Sequence, residues 1–116
     1  FQFPVFRNAT IENGTMSVLR GSHKLGELKY DSVQKSKDAL VNLTVRDIKS
    51  YVEELEEVPF LMNIGDVGVF FNNTIHRSNH NKSQYVRFSG VIRANSIKTL
   101  ADEELIKSKK ARESSS

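Results

Sequence analysis

With 116 residues, 38% of them hydrophobic and 27% charged, the chain can bury one modest core and not two. No apolar run is long enough to cross a bilayer, so no membrane partner is expected. There is no cysteine, which excludes disulfides and thiolate metal sites and makes a reducing compartment, the cytoplasm, the expected location. The formal charge of +3 owes its excess to Lys107, Lys109, Lys110 and Arg112, with no aromatic residues between them, and no nucleic-acid partner is expected.

In chain order, Gln2 to Phe6 and Thr15 to Leu19 read as strands on either side of "NATIENG", a cluster of turn-forming residues. Phe1 already stands within strand-like sequence, so an upstream segment is expected. Asn8, Asn13, Asn42, Asn72 and Asn81 begin Asn-x-Ser/Thr triplets, read here as Asn-rich turns. Gly21 to Asp38 shows no period and is predicted to be mostly irregular.

From Thr44 the pattern changes. Val45, Ile48, Val52 and Leu55 recur at spacings of three and four opposite Arg46, Lys49, Glu53, Glu54 and Glu56. That predicts an amphipathic helix capped by Thr44 and ended with help from Pro59, its apolar stripe packed into the core. "PFLMNIGDVGVFF" sets two apolar runs around a Gly65-Asp66 turn, where Asp66 is structural, and predicts that the runs pair antiparallel. Tyr85 to Ile92 is a further strand, with Val86, Phe88, Gly90 and Ile92 on one face and Arg87, Ser89 and Val91 on the other. Ile97 to Lys110 is weakly helical and runs into a charged, Ser-rich tail. Short strands, one inserted helix and no βαβ alternation point to an antiparallel sandwich or barrel, with a jelly roll the natural candidate.

Any metal here must use His, Asp or Glu. A non-haem iron centre needs two histidines and a carboxylate on one face, and His76 supplies one ligand. On pattern alone His76 reads first as a strand-end histidine satisfied by backbone, with metal ligation the alternative. Arg87, inside an apolar strand, is either a sheet-face arginine paired with Asp or Glu or the anchor of an anionic carboxylate, which its fork would hold bidentately. Ser78 either closes a turn or assists such a carboxylate. His80 follows His76 by four residues, a spacing that shares a face only in a helix, and this loop is not helical. His23 either reaches a metal or pins its loop through hydrogen bonds to backbone, and the second reading comes first. No nucleophile elbow surrounds any serine, which leaves hydrolysis without support.

These residues carry a resemblance. "ENGTMSVLRGSHKLGEL" and, after a variable stretch with a helix, "IGDVGVFFNNTIHRSNHNKSQYVRFS" together resemble the phytanoyl-CoA dioxygenase family over roughly Phe1 to Arg93. The resemblance implies an iron(II)- and 2-oxoglutarate-dependent oxygenase on a mainly β fold, the double-stranded β-helix or jelly roll, with one inserted amphipathic helix. By position, His76 matches the distal iron-binding histidine, Arg87 the arginine that holds the far carboxylate of 2-oxoglutarate, and Ser78 a residue that can assist it. Asn13, Gly14, Gly21, Ser22, His23 and Asn81 match scaffold positions, and no catalytic residue is assigned beyond the binding groups.

Two departures stand out. Arg20 occupies a place where the family usually has proline, and the family's His-x-Asp motif is absent, since Lys-Leu, Arg-Ser and Asn-Lys follow the three histidines. In the family that motif lies upstream of the matched segment. The resemblance therefore implies a partial domain at 1–96, with six of eight core strands, followed by a charged tail at 97–116. A lone imidazole chelates weakly, so this chain by itself is expected to be inactive and to hold no iron firmly. Its last two core strands would be open edges, which makes a homodimer through those edges an expectation. The expected substrate is a small molecule. The competing reading is a non-catalytic jelly roll that binds a small anion at Arg87 or serves assembly.

Overall fold

The computed structural model describes residues 1–34, 36, 37 and 42–114. It is mainly β, with three small antiparallel sheets and two α-helices. The first sheet joins β1 (Gln2–Val5) to β7 (Phe88–Val91). The second has the order β5 (Glu57–Pro59), β2 (Ser17–Leu19), β6 (His76–Arg77). The third is a two-stranded ribbon of β3 (Tyr30–Val33) and β4 (Asn42–Val45).

Among the described residues the apolar core is small: Ala9, Met16, Leu19, Met62 and Ile75 are buried. Buried polar residues, among them Asn13, Thr15, Ser17, Ser22 and Thr74, surround it and share the same elements. Their hydrogen bonds make that burial tolerable, since an unpaired buried polar group costs roughly 1–3 kcal/mol. Thr15, for example, donates its hydroxyl to the Phe60 carbonyl at 2.7 Å.

Several local expectations change. Gly21 to Asp38 is not mostly irregular: Ser22–Leu25 forms a 3-10 turn and β3 pairs with β4, with Lys35 and Asp38 outside the described residues. The ribbon lies on the surface, so no buried face imposes an apolar alternation on its sequence.

The first helix, α1, spans only Ile48–Glu54, and Thr44 and Val45 belong to β4 instead. β-branched residues suit the pleated ladder, and pairing with β3 outweighs the helical spacing of Val45 to Ile48. Asp47 begins the helix in a left-handed conformation without a side-chain cap, and Pro59 lies in β5. The predicted stripe is half-buried at Ile48, Tyr51 and Leu55 and exposed at Val52, so α1 lies against the domain without entering its core. Asn42, expected in a turn, starts β4.

The Gly65-Asp66 turn is present: the Asp66 amide donates to the Asn63 carbonyl at 3.0 Å, and the Asn63 amide to the Asp66 carboxylate at 2.7 Å. Its arms do not pair with each other, however. Met62 bridges to Ala9, and Gly68 bridges to Gln2, because the arms leave toward different sheets. The last strand begins at Phe88 and leaves Arg87 just before it, and the second helix, α2, runs Ile97–Ser114, beyond the expected end at Lys110.

Candidate functional site

The site is built on a turn that glycine alone fits. Gly14 has φ +78°, and a Cβ there would stand 2.8 Å from the Asn79 carbonyl oxygen and 2.9 Å from the Asn81 nitrogen. The loop that follows β6 therefore rests directly on the turn between β1 and β2. Asn13 fixes that turn: its side-chain oxygen accepts the Thr10 amide at 2.8 Å and its amide nitrogen donates to the Asn8 carbonyl at 2.7 Å. From the loop side, Asn79 donates to the Thr15 carbonyl at 2.6 Å and to the Ser17 hydroxyl at 2.7 Å. Asn81 accepts the Ser83 amide at 2.9 Å and donates to the Tyr85 carbonyl at 2.7 Å.

His76 sits on β6 opposite Val18, in register behind a fixed neighbour. The fully buried Ser22 hydroxyl accepts the Ile75 amide at 2.8 Å, and the Ile75 carbonyl accepts the Leu19 amide at 2.9 Å. The His76 Nδ1 lies 2.8 Å from the Thr74 carbonyl. A carbonyl only accepts, so Nδ1 carries the proton in that bond and Nε2 presents its lone pair, the form in which imidazole ligates a metal. That contact is the backbone satisfaction that the pattern suggested for His76. His23 stacks on Phe71 at 5.1 Å between ring centres, and its carbonyl accepts from Asn73 at 2.9 Å. Its ring is held by stacking, where hydrogen bonds to backbone were expected. Among the described residues no three His, Asp or Glu side chains stand close enough to hold a metal ion together.

Arg87 is half-buried, and its Nε is buried with no hydrogen-bond partner. Ion pairs form at Arg20–Glu56, Arg46–Asp31 and Arg77–Glu57, and the sheet-face pairing open to Arg87 on sequence is not seen among the described residues. Arg87 lines an open cleft of about 450 Å³ with Asn13, Asn79, Asn81, Ser83 and Tyr85. Polar and apolar groups line the cleft in about equal measure and none is a carboxylate; an orphaned guanidinium N–H on a lining residue calls for an acceptor, best supplied by an anion. Arg7 stacks over the Tyr85 ring at 3.9 Å and brings a second cation to the same rim.

His76 and Ser78 are not among the lining residues; both are exposed on the neighbouring sheet and the loop that leaves it. Asn79, Ser83 and Tyr85, which sequence reasoning passed over, are the residues that shape the cleft. Nothing distinguished them beforehand except the density of asparagine and serine between two strands.

Comparison with known proteins gives a match to the family model described as phytanoyl-CoA dioxygenase, over residues 5–89. No curated protein and no solved structure matches the chain. The matched span holds both quoted motifs from Asn13 onward, His76 and Arg87, and it ends within β7.

Proposed function

The chain belongs to the phytanoyl-CoA dioxygenase family, and from that premise we propose that it is the C-terminal part of an iron(II)- and 2-oxoglutarate-dependent dioxygenase that hydroxylates a small molecule. Residues 1–96 would form part of a jelly roll, with the remaining strands and the His-x-Asp ligands supplied from outside these 116 residues. In that reading His76 Nε2 is one iron ligand and Arg87 holds the far carboxylate of 2-oxoglutarate, with Ser78 assisting. Bound iron and 2-oxoglutarate would supply the oxidising chemistry; the protein's own part is to orient and to neutralise.

The observation that carries the reading is the buried Arg87 Nε without a partner, on a residue that lines a cleft with no carboxylate among its lining residues. His76 is in keeping with it, since the Thr74 carbonyl engages Nδ1 and leaves Nε2 as the ring nitrogen that would hold the metal. Among the described residues no three His, Asp or Glu side chains stand together, in keeping with further ligands supplied from elsewhere. Two open edges fit the same account: among the described residues β6 pairs only with β2 and β7 only with β1, the two strands that the family topology leaves beside missing neighbours.

Binding of 2-oxoglutarate without metal tests the proposal. Isothermal titration should show weak binding that Arg87→Ala abolishes and His76→Ala leaves intact. Binding unchanged by Arg87→Ala would remove the anchor and the proposal with it. The non-catalytic alternative shares this result and parts from it in the gene, where a His-x-Asp upstream supports the oxygenase and its absence supports an anion-binding domain.

A further inference from the structure

Residues 71–74 form a turn, closed by the Thr74 amide donating to the Phe71 carbonyl at 3.0 Å. The turn doubles the chain back, so Phe70 before it meets His76 after it, with ring centres 5.5 Å apart and planes tilted by 53°. Phe70 lies in no strand, and the ladder that holds β6 does not hold it. Its ring is fixed instead by Phe60, which packs against it edge-on at 5.7 Å and 87°, an arrangement favoured by the charge distribution of two aromatic rings.

His76 carries two constraints of different kinds. Its Nδ1 is bonded to the Thr74 carbonyl at 2.8 Å. A carbonyl oxygen accepts over a broad range of angles, so this bond holds one atom and leaves the ring able to turn about it. The contact with the Phe70 ring removes that freedom. Together the two set the direction of Nε2, which neither sets alone. The 71–74 turn supplies both, since Thr74 closes it and Phe70 precedes it.

The brace continues away from the site. Phe60 is anchored through its backbone, its amide donating to the Met16 carbonyl at 2.8 Å and its carbonyl accepting the Thr15 hydroxyl at 2.7 Å. Its ring fills the space that a side chain at position 68 would need, since a Cβ on Gly68 would collide with it. Gly68 is itself held in place, exchanging both backbone hydrogen bonds with Gln2 at 2.7 and 2.8 Å. Burial of apolar rings accounts for Phe60 against Phe70. It gives no reason for the row to end on an imidazole that a hydrogen bond already holds.

We infer that Phe70 is a positioning residue for His76, its ring holding the imidazole plane so that Nε2 keeps one direction, with Phe60 and Gly68 as the support behind it. The inference rests on the reading of His76 as an iron ligand. A ligand whose lone pair is already aimed has less rotational freedom to lose when it binds a metal. Leucine at position 70 would fill apolar space without offering a flat face, whereas tyrosine would keep the face.

Solution NMR on the 116-residue chain with isotope-labelled histidine tests it, without metal and at about pH 8.5, where free imidazole is neutral. In the parent, His76 should show one side-chain rotamer and cross-relaxation between its ring protons and those of Phe70. Phe70→Leu should spread His76 over the staggered wells and lower the population of the main rotamer about twofold. Phe70→Tyr should keep the parent pattern. The amide shifts of Leu19 and Ile75 report whether β2 and β6 stay paired in each variant. Phe70→Met, also apolar and without a face, carries the same expectation and serves where leucine disturbs that pairing. A His76 ring already disordered in the parent overturns the inference, as does one that stays ordered in the folded leucine or methionine variant. So does a tyrosine variant that loses ring order while those amide shifts hold. Ring order is read without iron or 2-oxoglutarate, so its failure leaves the ligand reading standing, and a failure of 2-oxoglutarate binding at Arg87 leaves the ring order standing.

Discussion

Two regions of this small protein are ordered by different means. The turn at residues 8–17 and the loop at 79–85 interlock through Asn79, which donates to the Thr15 carbonyl and the buried Ser17 hydroxyl, with a glycine where the backbones touch. The ribbon of β3 and β4, by contrast, lies on the surface and adds to its ladder an exposed ion pair, Arg46–Asp31 at 2.7 Å. The first region contributes most of the lining of the cleft of Arg87, and none of the lining residues comes from the second. Precision at a polar site comes from satisfied buried groups, which leave the backbone few alternatives. An exposed ion pair holds its partners loosely because water competes for both.

The contrast can be broken most severely at Gly14. Gly14→Ala combines a positive φ with contact against the Asn79 and Asn81 backbone, and should lower unfolding free energy by about 2–4 kcal/mol in urea denaturation. Next comes Ser22→Ala, which leaves the Ile75 amide buried without its acceptor and should cost about 1–3 kcal/mol. It also frees the strand that carries His76, so amide exchange at Ile75 should rise more than at Leu19. Asn79→Ala removes donors to Thr15 and Ser17 and should cost about 1–2 kcal/mol. Its sharper readout is 2-oxoglutarate binding, weakened as the cleft loses its rim.

Arg46→Ala should have the smallest effect, with the midpoint of urea unfolding unmoved. The hydrogen bond and charge of Asp31 raise the Arg46 pKa from a value already far above neutral, so Arg46 keeps its charge at any working pH. A large loss at Arg46 with none at Ser22 would invert the comparison.

The sequence displayed these two regions unequally. The Asn13-Gly14 turn, β1, β2 and the approximate place of β7 were legible because turn residues bracket short apolar or β-branched runs. Arg87 stood out as a cation among apolar neighbours, and its lack of an acidic partner needed the fold to be seen. The ribbon was hidden, because both of its faces are solvated and its strands have no alternation to show. Val45 gave a false signal, its spacing to Ile48 fitting a helix while its neighbours paired as a strand. The Gly65-Asp66 turn was read correctly as a turn and wrongly as a hairpin, since local chemistry fixes a turn but not what its arms find later. Asn79 was invisible for a similar reason: its partners lie about sixty residues away in sequence.

The central claim is that this chain holds the 2-oxoglutarate anchor and one iron ligand without the rest of the centre. Anaerobic titration of the purified chain with iron(II) and 2-oxoglutarate tests it most directly, read by the weak visible charge-transfer band that appears when the cosubstrate chelates iron. The expected result is no band, together with 2-oxoglutarate binding that depends on Arg87. A band that His76→Ala abolishes would contradict the claim, because it requires a complete ligand set within these residues or their dimer.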